Sequence, residues 1–492
     1  MSFLYGLKWT SAATVVNMAA QVGFIAVLAR LLDPSVFGLM AMTAIVLRFA
    51  SFFAQLGVVE AVIQKETLTR HDLVSAWWIA FVVSSLFYAL MFFLAPLFAS
   101  YFRSAPLVDL VRVVSVTIIL NSQGGLMLGL LRREKRFKEA ATIEVAAYLF
   151  GYGAVGVVAA LLGWGVWSLA AATVAQSVIS LLLGWIRTRY PIAGFSQATS
   201  MAHFVGLGTK YSLIGFLEFI AANIEVLFIG RYIGKAELGY YNRAQVLCNM
   251  PVEQPVAALT KVMFPKLSAM QQDRNRMGSA FILILLMVGL VSCALAAALS
   301  AAAGDVVRVV LGEQWLTVIP LVSVLSLAVP PMYCYVVCGI TLDSLAALDQ
   351  KLKLQAFIVV LKIALVFALL PYGIVGIAWA SVLGEAIRLA LGLYLCRRAV
   401  HYEMAGLRKV IAMLGLVFCA VFLPVWAVAS FLTDAGIPLP LRVIAEGSVF
   451  LVVAWLLLGK VLKMLRELPA ASQFDSIRIF SEYAGRLQFT KI

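Results

Sequence analysis

Three cationic side chains interrupt long apolar stretches of this sequence and are the first residues that could carry chemistry: Arg48, Arg243 and Lys362. A charge inside a bilayer costs about 3 kcal/mol or more, so it normally faces a protein interior or a water-filled cavity. Arg48 and Lys362 have no acidic residue within one helical turn. Each therefore finds a carboxylate on another helix or lines a cavity, and we favour the cavity. There the three cations would bind an anionic substrate group such as a phosphate.

Carboxylates form a second set in stretches of the same kind. Glu218 and Glu225 are seven residues apart, which places them on one face of a helix, and Glu253 follows in the next stretch. Burial disfavours the charged form of a carboxyl, so such groups can take up and release protons near neutral pH. We therefore assign these three residues as candidates for ion coupling.

Neutral polar residues form stripes along several stretches. Asn17 shares a helical face with Thr14 and Gln21, and Asn249 shares one with Gln245. A single Asn or Gln is usually explained by a hydrogen bond between helices. Stripes on four stretches together favour a shared central cavity, so Asn17 and Asn249 are candidates for substrate binding.

The elements that must position these residues are transmembrane helices. The sequence is 63% hydrophobic and 13% charged, whereas soluble domains are about 25% charged. Its apolar blocks are roughly 20 residues long, enough to span the hydrocarbon core as helices with satisfied backbones. We predict an all-α polytopic membrane protein with about fourteen spans. The predicted spans are 9–30, 36–58, 73–99, 107–131, 140–163, 166–186, 212–233, 238–262, 277–302, 316–343, 354–371, 374–396, 409–432 and 441–462.

The Lys and Arg residues of the connections fall mostly on one side of the predicted membrane, which is then the cytoplasmic side. Both termini lie on that side. The basic run 132–138 is interpreted as an anchor of this kind rather than as a nucleic-acid patch, so no nucleic-acid partner is expected. Glu144, at the start of the following span, is expected to pair with Arg136 or Lys138.

The sequence also contains an internal repeat. Arg30–Leu39 parallels Arg231–Tyr240 at an offset of 201 residues, and Gly165–Ala170 echoes Gly373–Ala378. Parallel repeats around a site at the bilayer midplane are a transporter architecture. The order of the echoes predicts four segments. These are a six-helix bundle at 1–200, a second six-helix bundle at 201–405, two additional spans at 406–462 and a cytoplasmic tail at 463–492.

Several classes of site are not expected. The connections between spans are too short to hold a soluble catalytic domain, and no histidine has metal-ligand spacing with cysteine. All three histidines, His71, His203 and His401, fall on the predicted cytoplasmic side. We therefore expect translocation rather than an enzyme, with no catalytic residue, no metal site and no cofactor.

Short motifs occur in an order typical of one family. They are Leu28–Leu32, Phe37-Gly38, Gln55–Gly57, Ala61–Gln64, Gly230–Gly234, Leu238–Tyr241, Ala244, Phe264–Ser268 and Leu311–Trp315. With these motifs, from about residue 1 to 405, the chain resembles the Wzx-type polysaccharide flippases. These belong to the polysaccharide-transporter branch of the multidrug/oligosaccharidyl-lipid/polysaccharide (MOP, MATE-like) exporter superfamily. It is most similar to the colanic acid and exopolysaccharide exporters.

The resemblance implies two six-helix bundles arranged as a V, with two added helices. The implied activity moves undecaprenyl-diphosphate-linked oligosaccharide repeat units across the bacterial inner membrane by alternating access, for exopolysaccharide or lipopolysaccharide biosynthesis. Implied partners are this substrate, membrane lipids, and a polysaccharide polymerase with its export machinery. The resemblance also adds Arg30 and Arg231 to Arg48 and Arg243 as candidate cavity cations.

Three alternatives stay open, and one of them is a non-catalytic assembly partner. A cation or drug antiporter of the same superfamily would suit twelve spans and a mainly acidic cavity better than this chain's cations do. A membrane glycan polymerase or ligase would need a long periplasmic loop with catalytic Arg or His, and such a loop is not predicted.

Overall fold

The computed structural model describes residues 3–54, 58, 59, 62, 68–191 and 209–467. Within these residues all regular structure is helical, and the prediction of an all-α membrane fold is confirmed. His203, most of the Gln55–Gln64 motif and the tail beyond residue 467 lie outside the described residues.

The helices follow each other with short connections. The first group is α1 (Phe3–Leu31), α2 (Pro34–Ala54), α3 (Arg70–Phe102), α4 (Leu107–Val114), α5 (Val116–Arg133), α6 (Phe137–Tyr148), a π-helix (Leu149–Gly156), α7 (Val157–Leu161) and α8 (Val166–Thr188). The second group is α9 (Thr209–Phe228), a π-helix (Ile229–Ile233), α10 (Lys235–Ala269), α11 (Arg274–Ala301), α12 (Ala303–Val310), a 3-10 helix (Glu313–Val318), α13 (Ile319–Ser326) and α14 (Val329–Ser344). The last group is α15 (Leu348–Leu369), a 3-10 turn (Leu370–Tyr372), α16 (Gly373–Ala399), α17 (Met404–Asp434) and α18 (Leu439–Glu467).

The described residues contain 11 helical segments long and apolar enough to cross a membrane, or 12 when the pair Glu313–Ser326 and Val329–Ser344, bent by 42°, counts as one span. Two features separate this count from the expected fourteen. The 52-residue segment Leu348–Ala399 counts once but holds α15 and α16, which pack against each other. Helix α10 is long but too polar to be counted. The number fourteen stays a prediction.

Helix starts coincide with capping residues in the polar connections. At the start of α3 the Thr69 hydroxyl accepts a hydrogen bond from the Asp72 backbone N–H (3.2 Å), and the Asp72 carboxylate accepts one from the Thr69 N–H (2.9 Å). At the start of α11 the Asp273 carboxylate accepts from the Arg276 N–H at 3.0 Å. Such caps satisfy backbone donors that a helix leaves unpaired, so they fix where each span begins.

The chain divides into two compact units. Unit 1 comprises Met1–Ser212, Ala222–Asn242 and Val310–Gln314, and unit 2 comprises Leu213–Ala221, Arg243–Val309 and Trp315–Ile492. Unit 1 thus holds the first predicted bundle together with three short segments of the second, 201–212, 222–242 and 310–314. The boundaries predicted at residues 200 and 405 stay predictions.

Candidate functional site

A buried ion pair lies at the centre of unit 2. Lys362 on α15 and Glu385 on α16 are each 3% exposed, and the Lys362 Nζ lies 2.8 Å from the Glu385 Oε1. The same ammonium donates a hydrogen bond to the Ala221 carbonyl on α9 at 3.0 Å. Of the two alternatives considered for Lys362, the structure shows the carboxylate on another helix. Favouring the cavity was wrong for this residue, since its position in the sequence does not reveal Glu385 across the helix interface.

Arg388 extends this pair on the same face of α16. Its Nη1 lies 3.5 Å from the Glu385 Oε2, and its guanidinium stacks 4.0 Å above the ring centre of Tyr335. The carboxylate of Glu385 is therefore shared between two cations. A guanidinium over an aromatic face is stabilised by the ring quadrupole, most strongly when both are removed from water.

Hydrogen bonds continue from Tyr335 to a second group of charges. The Gln355 amide donates to the Tyr335 hydroxyl (2.8 Å) and to the Glu218 Oε1 (3.1 Å). The Lys351 Nζ lies 3.3 Å from the same Glu218 oxygen and 2.9 Å from the Asp343 carboxylate. Glu218, an ion-coupling candidate, is thus part of a continuous network that joins α9, α14, α15 and α16.

This charged network has a composition suited to holding and moving a proton or a small cation. It contains three cations and three carboxylates, joined by a neutral amide and a phenol. These are Lys351, Lys362, Arg388, Glu218, Asp343, Glu385, Gln355 and Tyr335. Buried ion pairs are costly to desolvate, and similar apolar packing would often be as stable. A change in the charge of one carboxyl would alter the partners of its neighbours.

A different kind of site lies in unit 1. A polar cavity of about 320 Å³ opens among α1, α5, α6 and α8. Its lining is mostly amides, hydroxyls and one tyrosine, and the described residues around it include a single carboxylate, Glu144. The polar lining residues are Asn17, Gln21, Asn121, Glu144, Tyr148, Thr173, Gln176, Ser177 and Ser180. Its volume falls at the lower end of the range for small-molecule pockets.

The π-helix Leu149–Gly156 directly follows Tyr148 and packs against α8, which forms one wall of this polar cavity. Such π-helical segments often mark functional sites. Gly151 in that segment lies against Gln176, where a Cβ would come within 2.7 Å of the Gln176 Cβ. Tyr148 stacks on Tyr152 with ring centres 4.9 Å apart, and the Tyr152 hydroxyl is 3.2 Å from the Thr173 hydroxyl. Close helix approach thus fixes an aromatic face beside a row of polar groups.

The carboxylate of this cavity is neutralised at its edge. Arg132 Nη2 lies 2.6 Å from the Glu144 Oε1, whereas Arg136 pairs with Glu134 (2.9 Å) and Glu139 (2.8 Å). Glu144 thus pairs with Arg132, whereas Arg136, one of its two expected partners, pairs with other carboxylates. Hydrogen bonds to two carboxylates raise the pKa of Arg136 above its ordinary value. Because these carboxylates engage the Arg136 guanidinium, Arg132 is the arginine that approaches Glu144.

The predicted cations occupy different environments. Arg231 Nη1 donates to the carbonyls of Ser100 (3.2 Å) and Tyr101 at the end of α3, and its guanidinium lies 5.1 Å from the Tyr101 ring centre. Its contacts are therefore those of a helix cap. Arg30 is exposed beside Gly312, and Arg48 on α2 is exposed. Arg243, on α10 in unit 2, is partly buried.

The remaining predicted polar residues are dispersed. Glu225 is 2% exposed in unit 1, whereas Glu218 lies in unit 2, so neither unit contains both members of the predicted pair. Glu253 is exposed on α10. The Asn249 carbonyl accepts from the Tyr333 hydroxyl at 3.4 Å, and its buried side-chain oxygen has no protein partner in the described structure. Asn17 lines the polar cavity of unit 1, as a substrate-binding residue would.

Sequence reasoning missed one wall of the polar cavity and the neutral links of the charged network. Thr173, Gln176, Ser177 and Ser180 recur at helical spacing on α8, the same signal that identified the stripe around Asn249. The polar stripe on α8 could therefore have been found from the sequence. Gln355 and Tyr335 are single polar residues in apolar helices, and nothing in their local spacing marks them.

The fold and these sites define a multi-pass helical protein with the architecture of the MOP exporters. It aligns with the lipid II flippase MurJ in an inward closed conformation with a TM-score of 0.70 and 13% identity, covering 92% of this chain and 99% of MurJ. It also aligns with an inward-facing multidrug resistance MATE family transporter of the MOP superfamily, with a TM-score of 0.58 and 17% identity, covering 78% and 94% of the two chains.

The chain belongs to the polysaccharide biosynthesis protein family, whose model matches residues 27–320. It is 24% identical over 322 residues to the lipopolysaccharide biosynthesis protein WzxC of Escherichia coli (strain K12), and the match covers 65% of each protein. It is 25% identical over 305 residues to the succinoglycan biosynthesis transport protein ExoT of Rhizobium meliloti (strain 1021), covering 61% of each. The chain thus spans less than two thirds of the length of these relatives. The predicted family resemblance is confirmed.

Proposed function

We propose that this protein is a flippase that moves undecaprenyl-diphosphate-linked oligosaccharide repeat units across the bacterial cytoplasmic membrane by alternating access. It is a carrier and not an enzyme, and it works between the enzymes that build the repeat unit and the polymerase and export machinery that use it. Both termini are cytoplasmic in this proposal. The family match supports the saccharide substrate class, and relatives named as biosynthesis and transport proteins agree with it.

The observation that carries the proposal is the polar cavity of unit 1. Amides and hydroxyls beside an aromatic face, with Glu144 neutralised by Arg132, suit a neutral polyhydroxylated ligand better than an ion. Sugar hydroxyls both donate and accept hydrogen bonds, and Asn17 and Gln176 side chains can do the same. We assign this cavity to the saccharide, and Arg48 and Arg30, which lie in the same unit as the cavity, to the diphosphate. Arg243, in unit 2, remains a further candidate cation.

Ion coupling is assigned to the charged network of unit 2, with Glu218 as the group that exchanges its ion. It is the network carboxylate with the most exposed side chain, at 36%, and among the described residues the cation within 4 Å of it is Lys351. Glu225 and Glu253 remain further candidates. Glu385, held between Lys362 and Arg388, is the structural member of the network.

The test is translocation in vesicles that contain the purified protein and a lipid-linked oligosaccharide. The readout is the fraction of glycan that a membrane-impermeant oxidant can reach. Replacing Asn17 or Gln176 by Leu removes hydrogen bonds to the sugar, so we expect the rate to fall about tenfold while membrane abundance stays the same. Asn275→Leu, on the exposed first turn of α11, is the matched control and should leave the rate unchanged.

The same vesicles separate flippase from antiporter. Wild-type protein that leaves the oligosaccharide in place but moves a cationic dye against a proton gradient would support the drug or cation antiporter and refute our proposal. The neutral cavity of unit 1 is the reason for preferring the flippase, because organic cations are usually bound by carboxylates and aromatic cages.

A further inference from the structure

A second group of buried charges in unit 2 shares no residue with the charged network. Asp305 lies on α12, and Arg442 and Glu446 lie one turn apart on α18. Their exposed fractions are 5%, 9% and 3%. The sequence spacing gave no reason to connect residues that are more than 130 positions apart, and the family match ends before α18 begins.

One oxygen of Asp305 is fully occupied by cations. The Asp305 Oδ1 lies 3.2 Å from the Arg442 Nη2 and 3.5 Å from the Arg308 Nη1. Arg442 in turn donates from Nη1 to the Thr433 hydroxyl at the end of α17. This arrangement fixes the Asp305 carboxyl in one orientation and directs its other oxygen away from the guanidinium groups.

That other oxygen and the Glu446 carboxyl are left unsatisfied: the Asp305 Oδ2 and both Glu446 oxygens are buried without a donor among the described residues. Arg442, which holds the first Asp305 oxygen, lies one turn from Glu446 on the same face of α18, so the Glu446 side chain lies on the side of α18 that faces Asp305. Two carboxylates side by side in a poorly hydrated site repel strongly. One shared proton removes both the missing donor and the repulsion. A protonated Glu446 donates a hydrogen bond to the Asp305 Oδ2, and the pair then carries a single negative charge.

Among the described residues, no other group donates a hydrogen bond to Glu446. The charged side chains that the described structure places against the pair are Arg442 and, beyond Asp305, Arg308. Helix α17 adds the neutral Thr433 and, one residue on, the exposed Asp434. A hydrophobic cluster joins α11, α17 and α18 in the same unit. Their packed residues include Ala297, Val421, Val425, Val449 and Phe450.

We propose that Asp305 and Glu446 form a proton-binding site, with Arg442 as the residue that positions it. The bound proton stabilises the contact between α18 and α12. The stability of this contact therefore depends on pH. Removal of the proton leaves two facing carboxylates, which weakens the contact. The site is independent of the proposed flippase activity, since it rests on residues that neither the polar cavity nor the charged network contains.

The first experiment is thermal unfolding of the purified full-length protein in detergent across a pH series from mildly acidic to alkaline. The wild-type midpoint should fall as the pH rises and the shared proton is lost. Glu446→Gln should flatten this dependence, because the amide donates a hydrogen bond to Asp305 that does not titrate. Asp434→Asn, which removes an exposed carboxyl nearby, should keep the wild-type curve. Equal pH dependence in the wild type and Glu446→Gln would overturn the proposal.

Infrared difference spectroscopy gives a readout that does not depend on stability. At neutral pH we expect the carbonyl band of a protonated carboxyl in the wild type, lost on alkaline titration and missing from Glu446→Gln and Asp305→Asn. A wild-type spectrum without any such band would refute the site. A higher unfolding midpoint in sodium chloride than in choline chloride at the same pH would indicate sodium binding to the pair, if Glu446→Gln abolished the difference. That result would also contradict the proton assignment.

Discussion

Gly38 and Gly239 pack against each other's helix in a reciprocal way. A Cβ on Gly38 would overlap the carbonyl of Lys235, and a Cβ on Gly239 would overlap the carbonyl of Pro34. The added Cβ atoms would also lie 3.1 Å from the Gly239 N and 3.2 Å from the Gly38 N. Both glycines are 201 positions apart, as are Pro34 and Lys235, so the contact joins equivalent points of the internal repeat within unit 1.

Replacing either glycine by Ala should therefore destabilise the protein. Backbone cannot move aside as a flexible side chain can, so we expect a loss of about 1–3 kcal/mol from overpacking. Thermal unfolding in detergent measures it. Gly415→Ala is the matched control, because Gly415 is inside α17 with no atom within 4 Å of an added Cβ. There Ala should be neutral or slightly stabilising through helix propensity. Equal midpoints for Gly38→Ala and Gly415→Ala would disprove the close contact.

The sequence predicted the helical membrane fold because the period and length of apolar blocks follow directly from bilayer thickness. It also located Gly38 and Gly239 in equivalent motifs. It did not predict that 222–242 would join unit 1, because packing of helix ends depends on shape and not on hydropathy. The predicted span 238–262 lies in α10, and α10 is too polar to count as a membrane span by hydropathy.

Two of the predicted cations should behave differently on substitution. Arg231 caps the end of α3, and hydrogen bonds from a charged donor contribute about 1.5–3 kcal/mol. Arg231→Ala should therefore lower the unfolding midpoint. Arg48 is exposed, so Arg48→Ala should change stability by less than about 0.5 kcal/mol.

Translocation of the lipid-linked oligosaccharide should show the complementary pattern. Arg48→Ala should slow it, and Arg48→Glu should abolish it by repelling the diphosphate, with membrane abundance unchanged. Lys138→Ala, at an exposed cation in the first turn of α6, serves as the control for loss of one positive charge. Unaltered translocation in Arg48→Glu would remove Arg48 from the mechanism.

The candidate sites were predictable only in part. A stripe of polar residues along one helix can be read from spacing, which is why Asn17 and Glu218 were identified. Pairing across helices cannot be read in this way, because Lys362 and Glu385 meet only when α15 and α16 pack. A lone intramembrane cation in a sequence is therefore compatible with a cavity and with a buried pair, and geometry decides.

The basic connection between α5 and α6 should be cytoplasmic. Positive residues near span ends are retained on the cytoplasmic side. Within this connection, Arg136 pairs with Glu134 and Glu139. In a Cys419→Ser background, Lys138→Cys should react with an impermeant maleimide only after cells are permeabilised. Asp434→Cys, at the exposed last residue of α17, should react in intact cells. The other five cysteines are buried, which keeps the background low. The opposite labelling pattern would invert the predicted topology.

Lys362 should matter for stability more than its exposed neighbour on the same helix. Removing one partner of a buried ion pair costs about 3–5 kcal/mol, because it leaves a charge without compensation. Glu385 keeps Arg388 at 3.5 Å, so Lys362→Met should fall at the lower end of that range. Lys353→Met, at an exposed site of α15, is the control and should be nearly neutral. The double variant Lys362→Met with Glu385→Gln should recover part of the loss, because no carboxylate is left with half its partners. The measurement is the thermal unfolding midpoint of the wild type, Lys362→Met, Lys353→Met and the double variant. If Lys362→Met and Lys353→Met have the same unfolding midpoint, Lys362 is solvated. The hypothesis that Lys362 lines a water-filled cavity would then be restored.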